Sequence, residues 1–74
     1  MIHMENKLKI VLVDEGITQS DLQKKSGIST STISKTANCK MVPSPTMQSR
    51  IIKAINELVN EEKYSKEYIF YNHK

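Results

Sequence analysis

One cysteine, two glycines, two prolines and no tryptophan are all that 74 residues supply of the types that staple, bend or specialise a chain. With Cys39 alone an internal disulfide is impossible, and no Cys or His set has zinc-ligand spacing, so the sequence suits a reducing compartment and the cytoplasm is expected. Two glycines cannot build a glycine-rich phosphate loop, and no His, Cys and acidic groups fall at a spacing that would pair a nucleophile with its base. Neither an enzyme, nor a metal site, nor a cofactor is expected. No apolar run approaches the ~20 residues that span a bilayer, and no charged, apolar, small-residue succession marks a signal peptide. The expectation is a soluble protein with no membrane partner. His3 and His73 stand near the ends and belong to no constellation.

What remains is a short, basic chain. At this length one domain over residues 1–74 is expected, with Met1-Ile2-His3 read as a vector-derived addition ahead of Met4 and 64–74 as an aromatic tail. Chains of this size bury only ~60% of their unfolded surface, so stability is thin and self-association would add to it. The core has to come from Leu, Ile and Val. A net charge of +3 and an isoelectric point near 9.1 lean toward a polyanionic partner, and the placement of the charges matters more than their total.

Apolar periodicity predicts a first helix from about Glu5 to Glu15, with Leu8, Val11 and Leu12 inward and Gly16 ending it. Ile10 and Val13 fall on its other side, to be covered either by another helix of the chain or by a second subunit. Thr18 with Asp21 forms a Thr-x-x-Asp capping box, and Ile17 with Leu22 a hydrophobic staple, opening a second helix that runs to Lys25 or Ser26. Gly27 breaks it at a position suited to positive φ, Ile28 plugs the turn, and Ser29 caps a third helix over Thr30 to Thr36 with Ile33 inward. A loop over Ala37 to Ser44 precedes Ser44-Pro45, a cap followed by proline in the first helical position. In the fourth helix Met47, Ile51, Ala54 and Leu58 form the expected core stripe, flanked by Ile52, Ile55 and Val59. Over 65–72 two readings stand: a short helix capped by Ser65, which is favoured, and a strand, since Tyr-Ile-Phe-Tyr is also strand composition. The aromatics there either close the core or face a partner. Cys39 reads as a small filler.

The run Gly16-Ile17-Thr18-Gln19, Asp21-Leu22, Ser26-Gly27-Ile28-Ser29, Thr32-Ile33-Ser34-Lys35 and Pro45 resembles the Cro/repressor-type (XRE-like) helix-turn-helix family, from about Leu8 to Leu58. The spacing of Leu22, Gly27, Ile28 and Ile33 carries the resemblance, because it sets two helices at a fixed angle. It implies an all-α, compact four- to five-helix, lambda-repressor-like domain whose helices 2 and 3 form the helix-turn-helix. It further implies that Thr30, Ser31, Ser34 and Lys35 face base edges of double-stranded DNA, and that Gln19, Ser29, Asn38 and Lys40 face phosphates. Lys24, Lys25, Arg50 and Lys53 are further basic side chains within reach of a backbone. Outside such a motif, Ser, Thr and Lys on a short helix are an ordinary solvated face. Three places depart from the family pattern: Gln23 stands for a small Ala, Thr36 and Ala37 for a large apolar residue and often a Glu, and Cys39 for Gly. A weakly anchored end of helix 3 is therefore expected.

The function expected is a sequence-specific DNA-binding transcriptional regulator, a small phage, plasmid or mobile-element repressor acting by operator occupancy. Hydroxyls and one lysine make a modest base code without the bidentate Arg, Asn or Gln contacts of strong readers. Affinity should then rest on phosphates and on a homodimer bound to half-sites ~34 Å apart. The expected dimer or partner surface comprises Ile10, Val13, Tyr64, Tyr68, Phe70 and Tyr71. The alternative is a protein-interaction module, anti-repressor or antitoxin-like, that keeps the fold and binds a protein partner through Tyr64, Tyr68, Ile69, Phe70 and Tyr71.

Overall fold

The structure, a computed structural model, describes residues 6–70. Five α-helices and no strand occur among them: α1 (Leu8–Glu15), α2 (Gln19–Ser26), α3 (Thr30–Ala37), α4 (Pro45–Val59) and α5 (Lys66–Phe70). The all-α expectation holds, and the tail is helical where it is described. Met1 to His3, the expected helix start at Glu5, and Tyr71 to His73 lie outside the described residues.

Local chemistry explains where each helix begins. At α1 it is Asn6: its Oδ1 accepts the Leu8 N–H at 3.0 Å, so regular helix starts at Leu8. At α2 the capping box is complete, with Thr18 Oγ1 accepting the Asp21 N–H at 3.0 Å and the Thr18 N–H donating to Asp21 Oδ2 at 3.2 Å. The Thr18 backbone N–H first, and the Thr18 side chain second, hold the Asp21 carboxyl below its usual range. Ser44 accepts the Met47 N–H at 3.2 Å to open α4, with Pro45 just inside. Ser65 likewise accepts the Tyr68 N–H at 3.2 Å to open α5.

α2 packs between α3 and α4, while α1 packs on α3 and α5. Leu8, Leu22, Ile33, Ile51, Ile55 and Ile69 are wholly buried where these helices meet. The stripe on α4 is rotated from the expected one. Ile55 is wholly buried, whereas Leu58 is exposed. Ile69, not an aromatic, anchors α5, and its carbonyl accepts the Lys7 N–H at 2.8 Å. Tyr64 and Phe70 lie against the core, whereas Tyr68 is half exposed with Lys7 Nζ 4.6 Å from its ring centre. Ile10 and Val13, at 60% and 72% exposure, are covered by no other helix among the described residues.

Two polar clusters fix the connection between α4 and α5. Buried Asn56 accepts the N–H groups of Lys63 and Tyr64 at 3.1 and 2.9 Å and donates to the Tyr64 carbonyl at 2.9 Å. Asn60, in the left-handed conformation at φ 64°, lets the chain leave α4 toward that clamp. Glu15, at the end of α1, then receives Lys63 Nζ at 2.7 Å together with the Tyr64 hydroxyl. The Lys63 bond first and the Tyr64 bond second lower the Glu15 pKa, and the same contacts raise those of Lys63 and Tyr64. A lowered carboxylate pKa stabilises the fold above the ordinary value of 4.5, and that contribution fades as pH falls through the lowered value. Glu15→Gln should therefore be less stable than the parent at neutral pH, with the difference shrinking as denaturation midpoints are followed into acid. A constant difference across that range would remove this linkage.

Candidate nucleic-acid interface

The turn between α2 and α3 is built from four consecutive residues with separate tasks. Ser26 Oγ donates to the Leu22 carbonyl at 2.6 Å and accepts the Ile28 N–H at 3.1 Å, so one hydroxyl closes the end of α2 and holds the chain that follows. Gly27 takes φ 77° while its N–H reaches the Gln23 carbonyl at 2.8 Å. No atom lies within 4 Å of where a Cβ would stand, so the demand for glycine comes from the backbone angle alone. Ile28 is buried, and Ser29 Oγ accepts the Thr32 N–H at 3.2 Å to start α3.

The far end of α3 departs from expectation, since it is firmly anchored. Thr36 is wholly buried and Ala37 nearly so; the Thr36 hydroxyl donates to the Thr32 carbonyl at 2.9 Å, and Asn6 Nδ2 donates to the Thr36 carbonyl at 2.9 Å. Asn6 thus starts α1 with its oxygen and ends α3 with its nitrogen. Cys39 is no filler: it is exposed, at φ 60°, in the position glycine would favour. Its N–H reaches the Thr36 carbonyl at 3.1 Å and that of Lys40 the Lys35 carbonyl at 2.8 Å, which together make a Schellman end with Cys in the left-handed place. Gln23, the third departure, points into solvent and leaves the contact between helices intact.

Between these fixed ends α3 turns Ile33, Thr36 and Ala37 inward and leaves Ser31 and Lys35 exposed with Thr30 and Ser34 half exposed. The four expected base-facing residues therefore share one accessible face. Gln19 is exposed in the first position of α2, and Lys40 is exposed beyond α3. Two of the expected phosphate contacts are already engaged. The Ser29 hydroxyl is bonded to the Thr32 N–H and, at 3.0 Å, to the Thr32 hydroxyl. The Asn38 amide donates back to the Ser34 carbonyl at 2.9 Å and its hydroxyl at 3.4 Å. A donor to a carbonyl must be nitrogen, which fixes how this amide is turned.

Charge is segregated along the chain more sharply than the net value of +3 conveys. From Leu22 to Asn56 the chain carries Lys24, Lys25, Lys35, Lys40, Arg50 and Lys53, and all eight carboxylates lie outside that stretch. Reading charge by position would have found this signal; residue-type totals hide it. Asn6 and Asn56 were also missed, because amide contacts across the fold leave no local pattern. Among the described residues no group of His, Cys, Asp and Glu could hold a metal ion, and no helix is long and apolar enough to cross a membrane.

A capped helix, a glycine-broken turn and a second helix with a polar, cation-flanked outer face define a helix-turn-helix protein. The model of the Cro/C1-type HTH DNA-binding domain matches residues 7–55, and the chain belongs to that family. It is a family of DNA-binding regulators, not of enzymes. Neither the curated proteins nor the solved structures contain a match to the chain.

The two left-handed positions give opposite expectations. Gly27→Ala should lose about 1–2 kcal/mol, the cost of forcing a Cβ into that conformation. Cys39→Gly should gain about 0.5–1 kcal/mol by relieving the same strain against a more flexible unfolded chain. Urea denaturation measures both, and equal midpoints for parent and variants would refute the backbone account.

Proposed function

We propose that this protein represses transcription by occupying an operator in double-stranded DNA, as a small cytoplasmic regulator of a phage, plasmid or other mobile element. The observation that carries the reading is the outer face of α3: polar, unburied, held at both ends, and set in a stretch without a carboxylate. In this reading Thr30, Ser31, Ser34 and Lys35 enter the major groove. Lys35 donates to guanine O6 and N7, and the hydroxyls serve either base type. Gln19 and Lys40 hold phosphates. Ser29 contributes through the N–H groups at the start of α3, since its hydroxyl is engaged, and Asn38 contributes once its amide turns away from Ser34. Residues 1–74 act as one DNA-binding unit.

A homodimer on an inverted repeat supplies the affinity that so modest a base code lacks. Its surface comprises Ile10 and Val13 of α1 with the edge of α5 at Tyr68, rimmed by Tyr64 and Phe70; Tyr71 lies outside the described residues. The interaction-module alternative has less to work with, because Ile69, which it needs at the surface, is wholly buried.

Gel shifts at two salt concentrations test DNA binding, since each neutralised phosphate adds ~0.9 to the slope of log affinity on log salt. Lys35→Ala should lose about 1–3 kcal/mol of base discrimination, whereas Lys40→Ala and Asn38→Ala should weaken all sequences alike. Parent-like binding by all three would overturn the placement of α3. In sedimentation, the parent should run as a dimer and Ile10→Asp as a monomer; a parent that stays monomeric at high concentration excludes the dimer.

A further inference from the structure

Three polar side chains from different elements, Lys9 of α1, Gln19 of α2 and Asn38 beyond α3, rim a groove of about 360 Å³. Its apolar lining is Leu12, Val13, Ile17 and Ala37, of which exposed Val13 is the one residue it shares with the proposed dimer surface. The rim residues are not equivalent. Gln19 is neutral, and the Asn38 amide is turned onto Ser34, so Lys9 brings the groove its charge. Lys9 is exposed, forms no ion pair among the described residues, and no described carboxylate lines the groove beside it. The larger groove, of about 640 Å³, differs in this respect: Lys25, Lys53 and Lys66 share it with Glu57, Glu61 and Glu62, and the opposite charges offset one another.

We propose that Lys9 is a phosphate-binding residue and that the groove beside it seats one sugar–phosphate unit of the DNA backbone. The carbon face of the deoxyribose lies on the apolar lining and the phosphate meets the Lys9 ammonium. The inference rests on the DNA-binding reading above and extends the interface from the helix-turn-helix onto α1. It also gives the groove an occupant of matching character, apolar beneath and anionic at the rim. As a point charge that reads no base, Lys9 adds affinity for every sequence alike and steepens the salt dependence.

Fluorescence anisotropy with a labelled random-sequence duplex, titrated between about 50 and 200 mM salt, tests this. Lys9→Ala should flatten the slope of log affinity on log salt by about 0.9, while Lys9→Arg keeps the parent slope. Lys66→Ala, which removes the same charge from the mixed groove, should also keep it. Thermal melts of Lys9→Ala should match the parent, because the side chain is exposed. A parent slope in Lys9→Ala overturns the assignment while leaving DNA binding intact. An equal flattening in Lys66→Ala overturns it too, since net charge alone would then account for the effect. A parent that does not bind the duplex at low salt removes the DNA-binding reading, and this inference with it.

Discussion

The hydroxyl of Ser26 and the left-handed Gly27 decide how α3 leaves α2, and the surface that α3 presents follows from that angle. A helix of eight residues does not hold itself together in water. It persists because Ile28 and Ile33 are buried under α2, and they can be buried only if the chain reverses sharply between Ser26 and Ser29. Ser26 fastens that reversal on the α2 side, Ser29 on the α3 side, and Gly27 supplies the one backbone angle it needs. An outer face rich in Ser, Thr and Lys contributes almost nothing to folding, so it is free to be chosen for a partner.

The remainder of the fold braces that unit. α4 gives α2 a long apolar wall, and Asn56 ties the chain beyond α4 back to it through three hydrogen bonds. Asn6 joins the start of α1 to the last turn of α3, which replaces the large apolar anchor missing at Thr36 and Ala37. Such bonds each contribute only about 0.5–1.5 kcal/mol net, yet a buried amide deprived of its partners costs more than the bond was worth. α3 is therefore held at both ends in the free protein.

How much of this could be read in the sequence depended on the range of each interaction. Thr18 with Asp21, Gly16, Gly27, Ser44 and Pro45 announce themselves because caps and turns act over three or four residues. Leu22 followed from its staple with Ile17, and Ile33 from being the one large apolar side chain in a short polar helix. The errors lay where distant residues compete. Leu58 fitted the stripe on α4 yet is exposed, while Ile55 from its flank is wholly buried; Ile69 was one apolar residue among aromatics until the fold placed it under α1. The firm end of α3 came from Asn6, thirty residues away along the chain. At the interface, the exposed face of α3 and the capping role of Ser29 were legible, whereas the turn of the Asn38 amide onto Ser34 was not, because it depends on side-chain geometry that spacing does not carry.

In the proposed reading the base code of the outer face of α3 is modest, and the carboxylate-free stretch from Leu22 to Asn56 supplies the positive charge of the interface. The central claim is that this face, and not the aromatic edge of α5, meets DNA. Amide chemical-shift mapping of the labelled protein during titration with duplex DNA tests it most directly. Perturbations gathered on Ser29 to Lys40 and on the start of α2 are predicted. Shifts confined to Tyr64 through Phe70, or none at any duplex concentration, would contradict it.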